Sequence, residues 1–195
     1  EERFSRAHER LPCAMSETNA GRAALSVLQA GAIAIGLAAA PYKLFELDRY
    51  FVPKELVLHL AALLAVLACV HGARRLALTR VDTLLALFLL LGVASSVAAE
   101  NHWAAARAIG ITFSGLVIFR AARAVSGAGW RRPLLGALAA AIVLASVTSL
   151  LQAYGVTSDY FSLNRSPGGT FGNRNFVAHL AAIGAPTLIV LLVQA

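Results

Sequence analysis

Six long apolar runs dominate the chain, at Ala23 to Ala40, Glu55 to His71, Thr83 to Ala99, Ala104 to Phe119, Leu134 to Tyr154 and Phe176 to Ala195, with short polar connections between them. Each approaches the roughly 20 residues needed to cross a hydrocarbon core. Within the runs Leu, Ala and Val follow one another without the alternation of apolar and polar positions that marks a membrane barrel strand. Backbone in lipid finds no outside partner for its N–H and C=O groups, so each run is expected to satisfy its own as a helix. The pattern predicts an all-α, polytopic integral membrane protein with about six transmembrane helices in the chain.

Composition agrees, since 58% hydrophobic and 14% charged residues with a mean hydropathy of +0.70 do not describe a soluble domain. A net charge of +7 and a pI near 10.3 raise the question of nucleic acid. The basic residues fall in short clusters between apolar runs and form no stripe, so no nucleic-acid partner is expected. They read instead as topology signals. One set of connections carries Arg3, Arg6, Arg10, Arg22, Arg74, Arg75, Arg80, Arg120, Arg123, Arg131 and Arg132; the other carries only Lys43, Arg49, Lys54, Arg165 and Arg174. That split places the N-terminus in the cytoplasm and the segment from Tyr154 to Asn175 on the outer face. A secretory signal in the first run is the weaker alternative, because Pro41 follows its small residues and its 18 apolar positions exceed the usual core of roughly 7 to 15.

Residues 1–22 are expected to form a cytoplasmic tail, its beginning a mis-start or remnant, since the chain opens on Glu1 and its only methionine is Met15. Residues 23–195 are expected to be the N-terminal part of a multi-span membrane domain that is cut short, because the last run has no polar flank. Cys13 and Cys69 have no metal-ligand spacing and imply neither a disulfide nor a metal site.

No carboxylate falls in the middle of a run, which disfavours a proton- or sodium-coupled carrier. His59, Arg107 and His179 each lie about one helical turn from the expected outer face. Two readings stay open for them: separate interfacial groups, with Arg107 snorkelling to the headgroups, or a shared outward polar cavity. The segment from Gln152 to Leu180 is the richest in chemistry. Its Gly168, Gly169 and Gly172 allow close backbone approach, and Asn173 and Asn175 can cap the sixth helix, whose N-terminal partial charge attracts anions. Arg165 and Arg174 flank that end and carry the side chain best matched to phosphate oxygens. The candidate ligand is a phosphate-bearing lipid headgroup or carrier; the plainer reading is an interfacial turn whose arginines hold ordinary membrane lipid. A nucleotide loop is excluded by the missing Gly-Lys-Ser/Thr and the missing strand.

The run Arg165-x-x-Gly168-Gly169-Thr170-Phe171-Gly172-Asn173-Arg174-Asn175-Phe176, followed by Ala178-His179-Leu180, resembles the O-antigen ligase-related family of O-antigen ligases and polysaccharide polymerases. Ser149 to Gly155, Pro53-Lys54-Glu55-Leu56 and Asp82-Thr83-Leu84 support it by their order. Many members have Pro where this chain has Arg174, and an aromatic residue near the place of His179. The resemblance implies a multi-pass protein of the bacterial inner membrane. Its implied activity is metal-independent transfer of a polyprenyl-diphosphate-linked glycan to an acceptor hydroxyl, on lipid A core or a growing glycan, with no cofactor. It implies that Arg165 stabilises the diphosphate leaving group, that Arg174 and Arg107 add to the field, and that Asn173 and Asn175 belong to the same substrate-binding segment. The family's general base is a histidine in a later outer loop, so catalytic residues are expected downstream and these residues alone are expected to be inactive. Two other functions compete: a metal-dependent polyprenyl-phosphate-sugar glycosyltransferase using Glu46-x-Asp48, and a non-enzymatic lipid or polysaccharide transporter.

Overall fold

The computed structural model describes residues 19–41, 48–72, 78–162 and 165–193. The tail with Arg3, Arg6, Arg10 and Cys13, the loop residues Lys43 and Glu46, and Arg74 and Arg75 lie outside the described residues.

Among the described residues the fold is all-helical, without strands, and all six apolar runs fall on helices. These are α1 (Asn19–Leu37), α2 (Phe51–Gly72), α3 (Arg80–Val97), α4 (His102–Val125), α5 (Arg131–Ala153) and α6 (Arg174–Val193). They make five continuous helical runs long and apolar enough to cross a membrane, because α4 and α5 join through one wide turn into His102–Ala153. Within that turn Gly129 sits at φ 92, a conformation that side chains rarely adopt and that breaks the helix.

Packing shows that the chain reverses there. Gly31 of α1 faces Ala61 of α2, and Lys54 of α2 reaches Ala38 beyond α1, so the two helices run antiparallel. Glu55 meets Arg107 and His59 meets Ser114, so α4 runs with α2. Gln29 donates to the Pro133 carbonyl at 3.1 Å while Gly36 lies against Ala141, so α5 runs with α1 and against α4. Gly184 of α6 packs on Ile142 of α5. The helices therefore alternate up and down, as short connections require.

The core is built from small side chains. Ala24, Leu25 and Leu28 of α1 meet Ala65 of α2, Ala121 and Val125 of α4, and Ala128 of the turn. Small residues let helix backbones approach closely, which is how association proceeds where lipid removes the hydrophobic drive between helices. Large apolar side chains such as Leu56, Phe88, Leu91 and Val193 point outward instead.

Helix boundaries lie a few residues from those expected, so that Arg22, expected in the tail, falls on α1, and Lys54, Arg131 and Arg132, expected in connections, fall on α2 and α5. α4 continues to Val125, so Arg120 and Arg123, assigned to a connection, lie on its last turns. α3 begins at Arg80, which puts Asp82 in its first turn; Thr79 caps it, and the Asp82 carboxylate accepts from the Thr79 N–H at 2.8 Å. Asp82 also pairs with Arg120 at 3.1 Å and Arg123 at 3.4 Å. Since α3 buries no residue, this cap and these pairs to α4 carry an unusual share of its anchoring. Asp82→Ala is expected to lower stability by about 1 kcal/mol, the usual worth of a cap, and to speed hydrogen exchange in the first turns of α3. Unchanged exchange at those amides would refute the anchoring role.

Candidate anion-binding site

The end of the bundle opposite Asp82 gathers the end of α1, the starts of α2 and α4, and the end of α5. Residues 165–173 cross it as a strap before α6 begins. Glycine backbone donors, polar side chains from α5 and a buried lysine from α2 fix the strap from below. Gln152 Oε1 accepts from the Gly168 and Gly169 N–H groups at 2.8 and 2.9 Å, while its amide donates to the Ser162 carbonyl at 2.7 Å. Ser149 Oγ donates to the Pro167 carbonyl at 3.0 Å, next to the cis Ser166–Pro167 peptide. Thr170 is buried; its N–H donates to Thr148 Oγ1 at 3.3 Å and its hydroxyl donates to the Gly36 carbonyl at 2.8 Å.

A short 3-10 turn, Gly169–Phe171, then brings the chain to Gly172, whose φ is 67. Any Cβ at Gly172 would enter the Tyr50 ring. Burial pushes the Tyr50 phenol up, opposed by the Arg49 guanidinium 4.8 Å from its ring centroid. Arg49 ties the preceding segment down, donating to the Asp159 carbonyl at 2.9 Å and the Phe161 carbonyl at 3.1 Å.

The two expected caps of α6 divide their labour. Asn173 is the residue before the helix, and its side-chain oxygen accepts from the Asn175 N–H at 3.0 Å. Asn175 is therefore capped and does not itself cap; its own side chain is exposed. Arg165 and Arg174 are brought together, since the Arg174 N–H donates to the Arg165 carbonyl at 3.3 Å. Both side chains are exposed, and no hydrogen bond or ion pair from either guanidinium occurs among the described residues. Two arginines whose backbones meet at a helix N-terminus give that end of the bundle a positive charge suited to an anion.

Arg107 is placed differently. Its guanidinium is held by Glu55 at 2.6 to 3.0 Å through two nitrogens and by Asp48 at 2.9 Å, with the Trp103 ring at 5.5 Å. Two carboxylates offset its single charge, so locally it adds no net positive field. It braces the starts of α2 and α4. One turn deeper His59 Nδ1 lies 2.7 Å from Ser114 Oγ, which joins His59 to the same α2–α4 seam. His179 is exposed on α6, with no hydrogen bond to that seam among the described residues. The three groups of common depth thus fall into a pair and a single residue. Asp48, one half of the Glu46-x-Asp48 pair, is engaged by Arg107, and Glu46 lies outside the described residues. No group of three His, Cys, Asp or Glu side chains able to hold a metal occurs among the described residues.

Arg49, Tyr50, Lys54, Glu55, Thr148, Ser149 and Gln152 are site residues to which reading along the chain gave no role in the site. Lys54, Glu55, Ser149 and Gln152 had a signal, as members of the stretches that carry the resemblance; Thr148 looks like an ordinary polar residue of a helix end.

The fold and this end together define a bundle of apolar helices, compatible with a multi-pass membrane protein, that carries a braced, arginine-bearing strap. The chain matches no protein-family model, no curated protein and no solved structure in the comparisons made with it.

Proposed function

We propose that the protein is a multi-pass component of the bacterial inner membrane, N-terminus in the cytoplasm and strap outward, that transfers a glycan from a polyprenyl diphosphate to an acceptor hydroxyl. The acceptor is a lipid A core sugar or the end of a growing glycan. One observation supports this reading: a strap fixed on Thr170, Gly168 and Gly169 joins the backbones of Arg165 and Arg174, and neither guanidinium has a protein partner among the described residues. Two cations carried on a fixed stretch of backbone need less reorganisation when negative charge develops on a leaving diphosphate, which favours its departure.

In the proposed step the acceptor oxygen bonds to the anomeric carbon, the bond from that carbon to the diphosphate oxygen breaks, and the diphosphate leaves with the electron pair. The acceptor proton passes to a general base, a role assigned to none of the described residues. Arg165 and Arg174 stabilise the leaving group, the N-terminus of α6 adds its partial charge, and Arg107 braces the neighbouring seam. Charge asymmetry supports the orientation: Arg22, Arg80, Arg120, Arg123, Arg131 and Arg132 gather at the other end of the bundle, where Asp82 is the only described carboxylate.

Full-length protein in proteoliposomes, supplied with a polyprenyl-diphosphate glycan and its acceptor, is expected to form product equally well with and without EDTA. Loss of all product on chelation would sink the metal-independent mechanism and favour the phosphate-sugar transferase alternative.

A further inference from the structure

We infer that Lys54 is a positioning residue of the strap: its buried ammonium clamps residues 168–172 to the end of α1 and thereby sets where Arg165 and Arg174 present their guanidinium groups. The inference rests on the anion-binding reading of those arginines and extends it to a residue that does not touch the anion.

Lys54 is 8% exposed, among the most buried charged groups described. A buried charge normally needs an opposite charge or a full set of hydrogen bonds, because leaving water is expensive. No ion pair reaches Lys54 among the described residues. Backbone takes that role instead, for Nζ donates to the Ala38 carbonyl and, at 2.9 Å, to the Thr170 carbonyl. The Phe171 ring completes the surroundings, 4.5 Å from Nζ to its centroid. A lysine that only marked membrane topology would snorkel to water. This one turns inward and joins segments 116 residues apart.

Thr170 is where the constraints meet. Its N–H goes to α5, its hydroxyl to α1 and its carbonyl to Lys54 of α2. Two residues on, Gly172 lies against Tyr50, and Asn173 then starts α6 with Arg174 as its first residue. Arg165 follows because its carbonyl is bound by the Arg174 N–H. Any shift of Thr170 therefore moves both arginines together. Removing the ammonium leaves two carbonyls without their donor in an apolar setting, and the strap must move to find others.

The test is a double-mutant cycle on full-length protein in lipid nanodiscs, reading the Kd for inorganic pyrophosphate by calorimetry and the unfolding midpoint in parallel. Lys54→Met and Arg165→Ala are each expected to weaken binding about tenfold or more, since small misplacements of charged groups are costly. In an Arg165→Ala/Arg174→Ala background, Lys54→Met is expected to add less than about twofold, because it acts through the groups already removed. A purely structural role would lower the midpoint and leave the Kd of the folded protein unchanged, and that result overturns the inference while the Arg165→Ala loss keeps the anion site. Equal losses in the wild-type and the doubly substituted backgrounds also overturn it, making Lys54 a direct contact. Wild-type binding by Arg165→Ala removes the anion site itself and the inference with it. If Lys54→Met fails to insert, the same readings on Lys54→Gln, which keeps a donor but no charge, decide by the same criteria.

Discussion

Arg165→Ala is expected to lower glycan transfer by about 100-fold or more while the protein still inserts, the size of effect seen when one preorganised donor to a developing anion is removed. Arg165 is exposed and its side chain has no partner among the described residues, so truncation breaks no contact described in the fold. Loss of activity would therefore report on the ligand and not on unfolding. Arg165→Lys keeps the charge but replaces a planar fork with a point charge, and is expected to recover only a small part of the activity because bidentate geometry is lost. Transfer is read from polymer attached to the acceptor, and insertion from membrane fractionation with the unfolding midpoint. Wild-type transfer by the alanine variant would end the proposed role for this residue. A lysine variant as active as wild type would leave a charge requirement and remove the bidentate one.

Gly172→Ala is expected to be the most damaging of the small substitutions. At φ 67 a side chain is strained by about 1–3 kcal/mol, and the new methyl would run into the Tyr50 ring. Relief requires Tyr50 to leave its place or the strap to lift. Neither is local. Arg49, next to Tyr50, holds the Asp159 and Phe161 carbonyls, and the strap carries Thr170 and the start of α6. The unfolding midpoint should fall and transfer should drop by more than about tenfold, as for other misplaced groups. Gly92→Ala on α3, where a Cβ meets nothing within 4 Å, is the control and should be neutral or slightly stabilising. Equal behaviour of the two variants would mean that the strap tolerates displacement at Gly172, and the idea that its shape holds the arginines would fail.

These two substitutions probe opposite kinds of information. Arg165 was visible along the chain, because arginines flanking a glycine-rich stretch before an apolar run are local in sequence. So were the helices. A run of Leu, Ala and Val long enough to cross a bilayer closes its own i to i−4 hydrogen bonds, and nothing distant is needed to choose that conformation. The reversal between α4 and α5 was legible as a break in hydropathy, although its place at Gly129 and the extension of α4 through Arg120 and Arg123 were not. Helix ends depend on caps and partners that apolar content does not encode.

Composition and hydropathy by themselves determined the helical class, the six apolar runs, the uneven placement of arginine and the position of the strap in the chain. Tertiary structure alone decided what each charge does. Arg107 looked like an addition to a positive field, and its partners Glu55 and Asp48, more than 50 residues away, make it a brace. Lys54 looked like a flanking charge, and its contact with Thr170 makes it a clamp. Asn173 and Asn175 were equivalent as caps until the first turn of α6 assigned the role to Asn173. The physical reason is the same in each case. Helix formation is settled by near neighbours, whereas the electrostatic role of a side chain is settled by which distant group packing brings within about 3 Å, a distance at which hydrogen bonding and charge outweigh position in the chain.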